Sequence, residues 1–358
     1  MALSTYLVTG GAGFIGSNFI LYILRKHKDA NIVNVDSLTY AGNLENLSAI
    51  EQDDRYSFVL ADIRDCECMK KVIRKYNPTY VVNFAAESHV DRSILNPGEF
   101  ADTNVLGTVA LLNAVKECWE TGEGDFGSHK YLQVSTDEVY GSLSIDKPDE
   151  YFRESTPLNP HSPYSASKAS ADFFVKAYAD TFNLPVNITR CSNNYGPRQF
   201  PEKLIPLMIH NALEHKLLPV YGDGLNVRDW LYVDDHCKAI DMVLEKGLCG
   251  EVYNIGGHNE HSNLYIVKTI IAEVSKVTGD AAITPDLITH VQDRKGHDRR
   301  YGIAPDKIKK DIGWEPETMF DTGIVKTIHW YLDNPQWIEH VTSGDYQAYY
   351  ETMYANKF

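Results

Sequence analysis

Two short segments in the middle of the chain carry the side chains best suited to acid–base chemistry. The first is the triplet Thr136, Asp137 and Glu138, which follows an apolar run, and the second contains Tyr164 and Lys168. Residues four apart on a helix share one face, so this phenol and this ammonium are predicted to be neighbours. Because a nearby ammonium favours the phenolate, Tyr164 is expected to have a lowered pKa and to act as a base toward a hydroxyl group.

The adjacent carboxylates Asp137 and Glu138 come just after a strand that is predicted to end at Ser135. Such pairs are usually solvated or cap a helix. In a catalytic interpretation, repulsion and burial keep one carboxyl group protonated as an acid while the other stays ionised as a base. Thr136 is placed to donate a hydrogen bond to the oxygen that Tyr164 deprotonates. These residues predict an enzyme that removes water from a sugar as well as oxidising it.

A glycine-rich turn near the start of the chain predicts a dinucleotide cofactor. An apolar run over residues 6–9 leads into a turn with Gly10, Gly13 and Gly16, and a helical pattern follows. Strand, glycine turn and helix in this order bring the backbone close to a pyrophosphate at the helix N-terminus. The next strand ends in Asp36, whose carboxylate suits two ribose hydroxyls and repels a 2′-phosphate. NAD is therefore expected rather than NADP, the alternative being a turn that serves only helix packing.

Length and composition place the chain among ordinary globular proteins. It has 358 residues, enough for two lobes, of which 43% are hydrophobic and 23% charged. The net charge of −15 argues against a nucleic-acid partner. Six cysteines without C-x-x-C spacing indicate reduced thiols, with neither a metal site nor a disulfide framework. Neither a signal segment nor an apolar stretch of about 18 residues is present, so we expect a cytoplasmic protein without a membrane partner.

Alternating strand and helix patterns predict the architecture. Helical patterns are clearest over residues 103–119 and 165–181, and apolar β-branched runs predict strands over residues 6–9, 32–35, 56–60, 80–84, 131–134, 186–189 and 251–255. This pattern predicts an α/β fold with a Rossmann-like, doubly wound parallel sheet and ligands at the carboxyl ends of its strands. We assign residues 1–190 to an NAD-binding domain with the catalytic residues, and residues 191–358 mainly to a smaller C-terminal α/β lobe with interleaved segments; the substrate, which the resemblance described next implies to be a nucleotide sugar, is expected between them.

Nearly the whole chain resembles the extended short-chain dehydrogenase/reductase family. The matching motifs are the glycine turn and residues 83–91, 136–141, 164–168, 193–197, 221–224, 226–230, 253–257 and 293–298. The Thr-Asp-Glu triplet is similar to that of nucleotide-sugar 4,6-dehydratases, because related 4-epimerases generally carry small hydroxyl residues there. Lys295 departs from the family, which usually has Pro at this position.

The resemblance implies a lyase reaction on dTDP-glucose that yields the 4-keto-6-deoxy sugar nucleotide on the way to dTDP-rhamnose. Tyr164 takes the C4 hydroxyl proton as hydride passes to NAD, Glu138 removes the C5 proton, and Asp137 protonates the departing C6 hydroxyl. Hydride then returns to C6, so NAD is regenerated in each cycle and is expected to stay tightly bound. That the base is thymine is implied by the resemblance alone. A UDP- or GDP-hexose 4,6-dehydratase, a 4-epimerase and a non-catalytic NAD-binding regulator are the alternatives.

The resemblance also implies a set of binding residues and a partner. The cofactor residues are Gly10, Gly13, Phe14, Ile15, Gly16, Asp36, Leu38, Thr39, Asp62, Ile63, Ala85, Ala86, Ser88, Thr103, Tyr164, Lys168 and Asn194. The substrate residues are Ser88, His89, Thr136, Asp137, Glu138, Asn193, Lys203, Leu204, Pro219, Tyr221, Arg228, Asn263, Asp293 and His297. The helices over residues 103–119 and 165–181 look like those with which relatives form a homodimer through a four-helix bundle. The aromatic segment with Tyr346, Tyr349 and Tyr350 is assigned no role.

Overall fold

Strands and helices alternate along residues 4–122 and 124–343, which this computed structural model describes. The described strands are β1 (Ser4–Thr9), β2 (Ala30–Asp36), β3 (Tyr56–Leu60), β4 (Tyr80–Asn83), β5 (Lys130–Thr136), β6 (Val186–Cys191), β7 (Asn193–Tyr195), β8 (Leu218–Tyr221), β9 (Val227–Tyr232), β10 (Val252–Ile255), β11 (Glu260–Ser262) and β12 (Ile288–Val291). The described α-helices are α1 (Phe14–Lys26), α2 (Cys66–Tyr76), α3 (Val90–Leu95), α4 (Pro97–Phe100), α5 (Thr108–Trp119), α6 (Pro163–Phe182), α7 (Leu204–Leu213), α8 (Val233–Lys246), α9 (Asn263–Thr278), α10 (Asp306–Ile312), α11 (Phe320–Asp333) and α12 (Pro335–Val341). The segment with Tyr346, Tyr349 and Tyr350 lies outside the described residues.

Seven of the strands form one sheet in the order β10-β6-β5-β4-β1-β2-β3. Every neighbouring pair in this sheet is parallel. The strand order reverses between β1 and β4, and such a switch point opens a crevice at the carboxyl ends of the strands. The predicted doubly wound, Rossmann-like sheet is therefore confirmed.

Helices cover both faces of this sheet, which explains why its strands read as continuous apolar runs. Leu7 and Val8 are neighbours in β1, and both are fully buried although they point to opposite faces. Val8 packs in a cluster with Phe19 of α1 and with α8, whereas Leu7 packs with Leu111 of α5 and with α2. The sheet is thus held between two helical layers.

The chain beyond residue 190 contributes to this sheet and also builds a second core. Helix α8 and strand β10 belong to the sheet and its covering layer. A second apolar cluster joins α7, α9 and α11 through Ile209, Ile270 and Ile324. Beside it lie a three-stranded sheet, β11-β9-β7, and the parallel pair β12-β8. A domain boundary at residue 190 stays a prediction.

The predicted helices are present, with local features that set their ends. The segment over residues 103–119 begins in a π-helical turn, Ala101–Gly107, and continues as α5. Helix α6 contains the whole predicted span of residues 165–181. A reciprocal capping box between Ser162 and Ser165 starts it, with Pro163 in the first turn, and Asn183 ends it in the left-handed conformation.

All six cysteines are free thiols, as their spacing predicts. Within residues 4–122 and 124–343, no helix combines the length and the apolar character needed to cross a lipid bilayer.

Candidate active site

The carboxyl ends of the central strands open into a cavity of about 310 Å³. Residues that follow β1, β2, β3, β4, β5 and β6 all contribute to its walls, as expected for a switch-point crevice. Of the predicted cofactor residues, those that line this cavity are Gly10, Gly13, Phe14, Ile15, Gly16, Asp36, Thr39, Asp62, Ile63, Ala85, Ala86, Ser88, Thr103, Tyr164, Lys168 and Asn194. Their contacts with a bound cofactor stay predictions.

The glycine turn forms a cradle that a side chain would fill. Gly10 has a φ of +69°, and a Cβ atom there would lie 2.6 Å from the backbone nitrogen of Ala85. At Gly16, a Cβ atom would overlap the carbonyl oxygen of Gly10. Helix α1 begins at Phe14 without a side-chain cap, so its first N–H groups remain available at the cavity. This arrangement fits a dinucleotide pyrophosphate.

Asp36 is held in place at the end of β2 by two backbone hydrogen bonds. Its Oδ2 accepts from Ala12 N at 2.9 Å and its Oδ1 accepts from Leu38 N at 2.8 Å. Burial raises the pKa of Asp36, and the hydrogen bonds from Leu38 and Ala12 oppose that rise. Leu38 is not among the residues that line the cavity, and its backbone N–H orients Asp36; its contact with a bound cofactor stays a prediction.

Tyr164 and Lys168 lie in the first two turns of α6 and are both buried at the cavity. Lys168 Nζ donates to the carbonyl oxygen of Val134 at 2.7 Å. The expected lowering of the Tyr164 pKa is not found: burial and the Glu138 carboxylate raise it well above its usual value, whereas a hydrogen bond with Thr136 lowers it. Desolvation of the phenolate and the nearby negative charge dominate the pKa of Tyr164. Burial also lowers the pKa of Lys168, its neighbour on the helix.

Asp137 and Glu138 begin a short 3-10 turn directly after β5. Thr136 caps this turn by accepting from Glu138 N at 3.3 Å, and its hydroxyl donates to Asp137 Oδ1 at 3.3 Å. Burial, the Glu138 carboxylate and Asp229 raise the pKa of Asp137 well above its usual value. Asp137 is therefore buried at the cavity, and Glu138, which lines the same cavity, is half-buried.

Glu138 lies in a different electrostatic environment from Asp137. Burial raises its pKa, but Arg228, Lys203 and Arg294 oppose that rise in this order of strength. The neighbouring carboxylates of Glu138 and Asp229 reinforce the raised pKa of Asp137, against Arg228, whereas three cations oppose the raised pKa of Glu138. This is the division of properties that an acid and a base need.

A second cavity of about 170 Å³ adjoins the first at Glu138. The predicted substrate residues that line it are Ser88, His89, Glu138, Asn193, Lys203, Leu204, Pro219, Tyr221, Arg228, Asn263 and His297. Thr136 and Asp137 line the first cavity instead. Asp293 is not among the residues that line this cavity; its Oδ1 accepts from His297 Nδ1 at 2.6 Å, and its contact with the substrate stays a prediction.

Three cationic side chains line this second cavity although the chain is strongly acidic overall. Lys203 Nζ donates to the carbonyl oxygen of Ser88 at 2.7 Å, and Arg228 donates to the carbonyl oxygen of Asp298 at 2.9 Å. Converging cations of this kind suit a diphosphate, which arginine binds in bidentate fashion.

The third cation, Arg294, was not among the predicted site residues. It forms an ion pair with Asp91 at 3.4 Å, and its guanidinium lies 4.8 Å from the ring centroid of Tyr221. Tyr301 also lines this cavity without having been predicted. The motifs at residues 83–91 and 293–298 contain Asp91 and Arg294, but nothing in the sequence signals that the two residues meet.

Comparison with known proteins gives consistent similarities over nearly the full length. A family model described as GDP-mannose 4,6 dehydratase matches residues 7–327. The chain is 49% identical over 360 residues to the dTDP-glucose 4,6-dehydratase of Salmonella typhimurium, covering 98% of this chain and 99% of that protein.

Solved structures show the same similarity in three dimensions. A crystal structure of dTDP-glucose 4,6-dehydratase from Bacillus anthracis in complex with NAD superposes with a TM-score of 0.84 at 50% identity, covering 94% of this chain and 99% of that chain. The dTDP-glucose 4,6-dehydratase of Streptomyces venezuelae, also solved with NAD, gives a TM-score of 0.85 at 43% identity with the same coverage.

Proposed function

The chain belongs to the dTDP-glucose 4,6-dehydratase family, and on this premise we propose that it converts dTDP-glucose to dTDP-4-keto-6-deoxyglucose with NAD as cofactor. One observation of the site supports the proposal most directly. Two adjacent carboxyl groups, the buried Asp137 and the half-buried Glu138, have different electrostatic surroundings and lie at one cavity with Tyr164. An enzyme that only moves hydride needs no such acid–base pair.

The oxidative half of the reaction uses Tyr164, Thr136 and Lys168. When bound, NAD accepts hydride from C4 of the sugar and later supplies it to C6. Tyr164 in its phenolate form takes the proton of the C4 hydroxyl, and because burial and Glu138 raise the pKa of Tyr164, this form is favoured as the pH rises. With substrate bound, the Thr136 hydroxyl turns from Asp137 to donate a hydrogen bond to the same C4 oxygen. Lys168 is fixed by the Val134 carbonyl on the helix face that carries Tyr164. The product of this half is a ketone at C4, which acidifies the hydrogen at C5.

The elimination half uses the two carboxyl groups. Glu138 removes the C5 proton, and Asp137 gives its proton to the C6 hydroxyl, which leaves as water. A C5–C6 double bond conjugated with the ketone results. Glu138 then returns a proton to C5 as hydride reaches C6. The raised pKa of Asp137 supplies the protonated acid that this step requires.

The cofactor residues present fit NAD. The cradle at Gly10 and Gly16 admits a pyrophosphate, and Asp36 is held by backbone hydrogen bonds at the cavity edge. A 2′-phosphate would meet the partly desolvated carboxylate of Asp36. The hydrogen bonds to this carboxylate come from the backbone N–H groups of Ala12 and Leu38, which carry no positive charge to offset the repulsion. NAD is therefore preferred to NADP.

Arg228, Lys203 and Arg294 bind the diphosphate, next to the point where Glu138 joins the two cavities. The sugar then lies toward the first cavity, and the base extends into the second, past Asn193, Pro219 and Asn263. Thymidine is proposed as the nucleoside because the similar proteins act on dTDP-glucose according to their names. A 4-epimerase would not require an acid at Asp137, because it eliminates no water. A non-catalytic regulator would not require the acid–base pair at all.

We further propose a homodimer and a cytoplasmic location. The outer surface around α3 and α6 exposes three large apolar side chains, Leu95, Leu106 and Phe173, with exposed fractions of 70%, 60% and 63%. Exposed apolar patches of this kind favour association, and the free cysteines suit a reducing compartment. Phe173→Glu is expected to yield a monomer by analytical ultracentrifugation. Phe182→Glu, at the end of α6, is the control and is expected to have a smaller effect on dimerisation.

A substrate panel tests the proposed function. The purified enzyme is incubated with dTDP-, UDP- and GDP-glucose and with GDP-mannose, and the products are identified by mass spectrometry and by absorbance of the 4-keto product. We expect rapid loss of water from dTDP-glucose only. A product of unchanged mass but altered C4 configuration would establish a 4-epimerase, and failure to convert any of the sugar nucleotides would favour a regulator.

A further inference from the structure

A Tyr–Arg–Glu cluster lies beside the cofactor cavity and has no part in the reaction steps above. Tyr40 lies in the loop after β2, Arg92 in α3, and Glu202 in the segment before α7. The Tyr40 hydroxyl donates to Glu202 Oε1 at 3.1 Å, and Arg92 Nε donates to Glu202 Oε2 at 3.3 Å. The Arg92 guanidinium also lies 3.8 Å from the centroid of the Tyr40 ring. Each member therefore contacts the other two.

The loop that carries Tyr40 forms part of the wall of the cofactor cavity. Its members Ser37, Thr39, Ala41 and Gly42 line that cavity. The base of the loop is anchored at both ends, by Leu38 N to Asp36 Oδ1 at 2.8 Å and by Asn43 N to the carbonyl oxygen of Ala12 at 3.1 Å. Tyr40 is thus the point from which the loop reaches a distant segment.

That distant segment lines the same cavity from another part of the fold. Phe200, Glu202 and Lys203 contribute to its wall, and Glu202 also lines the second cavity. The Tyr40 ring meets the Phe200 ring nearly edge-on, with centroids 5.9 Å apart. The contact between Tyr40 and Glu202 therefore joins two walls of the cofactor cavity that are 162 residues apart in sequence.

The buried carboxylate of Glu202 stabilises the contact between these two walls. Its side chain is only 1% exposed, and both of its oxygens accept hydrogen bonds within the cluster. A buried carboxylate is costly unless it is paired and hydrogen-bonded. If the Tyr40 loop moved away from the 200–203 segment, the Glu202 carboxylate would lose one hydrogen-bond donor, and the Arg92 guanidinium would lose its contact with the Tyr40 ring. The closed arrangement is favoured for that reason.

We propose that Tyr40, Arg92 and Glu202 form a clasp that retains NAD between turnovers by holding two walls of its cavity together. The inference rests on the proposed function, in which the cofactor that receives hydride must stay in place to supply it to C6. These three side chains are positioning residues, because they act on the walls of the cavity and not on the reacting atoms.

A second Tyr–Arg–Glu cluster, away from both cavities, provides a control. Tyr151, Arg300 and Glu260 form a similar cluster, with Arg300 Nε 2.9 Å from Glu260 Oε2 and its guanidinium 5.3 Å from the Tyr151 ring centroid. None of these three residues lines either cavity. Tyr151→Phe therefore removes a tyrosine hydroxyl from a Tyr–Arg–Glu cluster that touches neither cavity wall, at a more exposed position than Tyr40.

The test measures release of NAD from purified holoenzyme. Wild type, Tyr40→Phe, Arg92→Leu and Tyr151→Phe are diluted into buffer with an NAD glycohydrolase, which destroys released cofactor. Protein-bound NAD is then quantified over time after rapid filtration. Loss of one hydrogen bond to a charged acceptor predicts release about 10- to 100-fold faster from Tyr40→Phe. The Tyr151→Phe variant is expected to release NAD at the wild-type rate, and all folded variants should recover near wild-type turnover in excess NAD.

Each outcome bears on the clasp. Wild-type release rates in both Tyr40→Phe and Arg92→Leu would overturn it, as would equal acceleration in Tyr151→Phe. If Arg92→Leu does not fold, Tyr40→Phe decides alone, because it keeps the aromatic ring. Since NAD itself is measured, a wild-type protein that binds NAD but does not convert dTDP-glucose would refute the proposed function while the same comparison of release rates still decides the clasp.

Discussion

Replacing Asp137 and Glu138 one at a time should separate dehydration from oxidation. In the mechanism above, neither carboxyl group takes part in hydride transfer from C4. Asp137→Asn keeps the side-chain shape and the neutral state that burial and Glu138 favour, and the amide oxygen can still accept the hydrogen bond from Thr136. It removes only the proton that the C6 hydroxyl needs. Binding of substrate and oxidation at C4 should therefore survive.

The magnitude follows from the role of each group. Loss of a general acid or base typically costs about 10²–10⁴-fold in rate, or about 3–5 kcal/mol of barrier. Glu138→Gln removes the negative charge that faces Arg228, Lys203 and Arg294, so these cations are left less compensated. This variant should bind the dTDP-sugar as tightly as wild type or more tightly, although its elimination step is slowed by the same factor.

The assay is a single turnover with enzyme in excess over dTDP-glucose. Reduced nicotinamide is followed by its absorbance, the 6-deoxy product by mass spectrometry, and exchange at C5 by deuterium uptake from heavy water. Asp137→Asn should accumulate reduced cofactor with little 6-deoxy product, and Glu138→Gln should also lose C5 exchange. If both variants bind substrate normally but fail to reduce the cofactor, the pair acts in oxidation or positioning, and the division of roles is wrong.

Three further predictions follow from the same site. Tyr164→Phe should keep folding and sugar-nucleotide binding but lose about 10²–10⁴-fold in turnover, and a variant within a few-fold of wild type would show that another group is the base. Apoenzyme restored with NADP should be far less active than with NAD, and Asp36→Ser should narrow that gap; equal activity of wild type with both cofactors would contradict the role of Asp36. Finally, Glu138 is the foremost charge that raises the pKa of Tyr164, so Glu138→Gln should move the rising limb of the pH profile for cofactor reduction to lower pH. An unchanged midpoint in stopped-flow absorbance would mean that Tyr164 is not the group titrating.

Local patterns were sufficient to predict the framework of the fold. Strands buried on both faces are mainly apolar, so β1 and β5 are recognisable from their apolar runs although Thr9 and Gln133 are also buried. The glycine turn is recognisable because backbone–backbone contact at Gly10 excludes any side chain. The spacing of Tyr164 and Lys168 follows from helical geometry, and the structure places both at one cavity.

The sequence does not specify how each residue of a binding motif contributes. The backbone N–H of Leu38 orients Asp36, and Asp293 accepts a hydrogen bond from His297, so the structure links both residues to the site through a neighbour. Neighbouring residues in a binding motif share its sequence signal whether or not their side chains face the ligand. The signal therefore marks the segment and not the individual contacts.

The sequence by itself determined the kinds of chemistry available: an acid–base pair, a phenol with a lysine, and a turn for a dinucleotide. Tertiary structure decided the protonation tendencies of those groups and the partners that control them. The pKa of Tyr164 is raised because folding buries it beside Glu138, and Arg294 meets Asp91 across more than two hundred residues of chain. Desolvation and Coulomb energies depend on distances in space, which local sequence spacing does not specify beyond a turn or a strand.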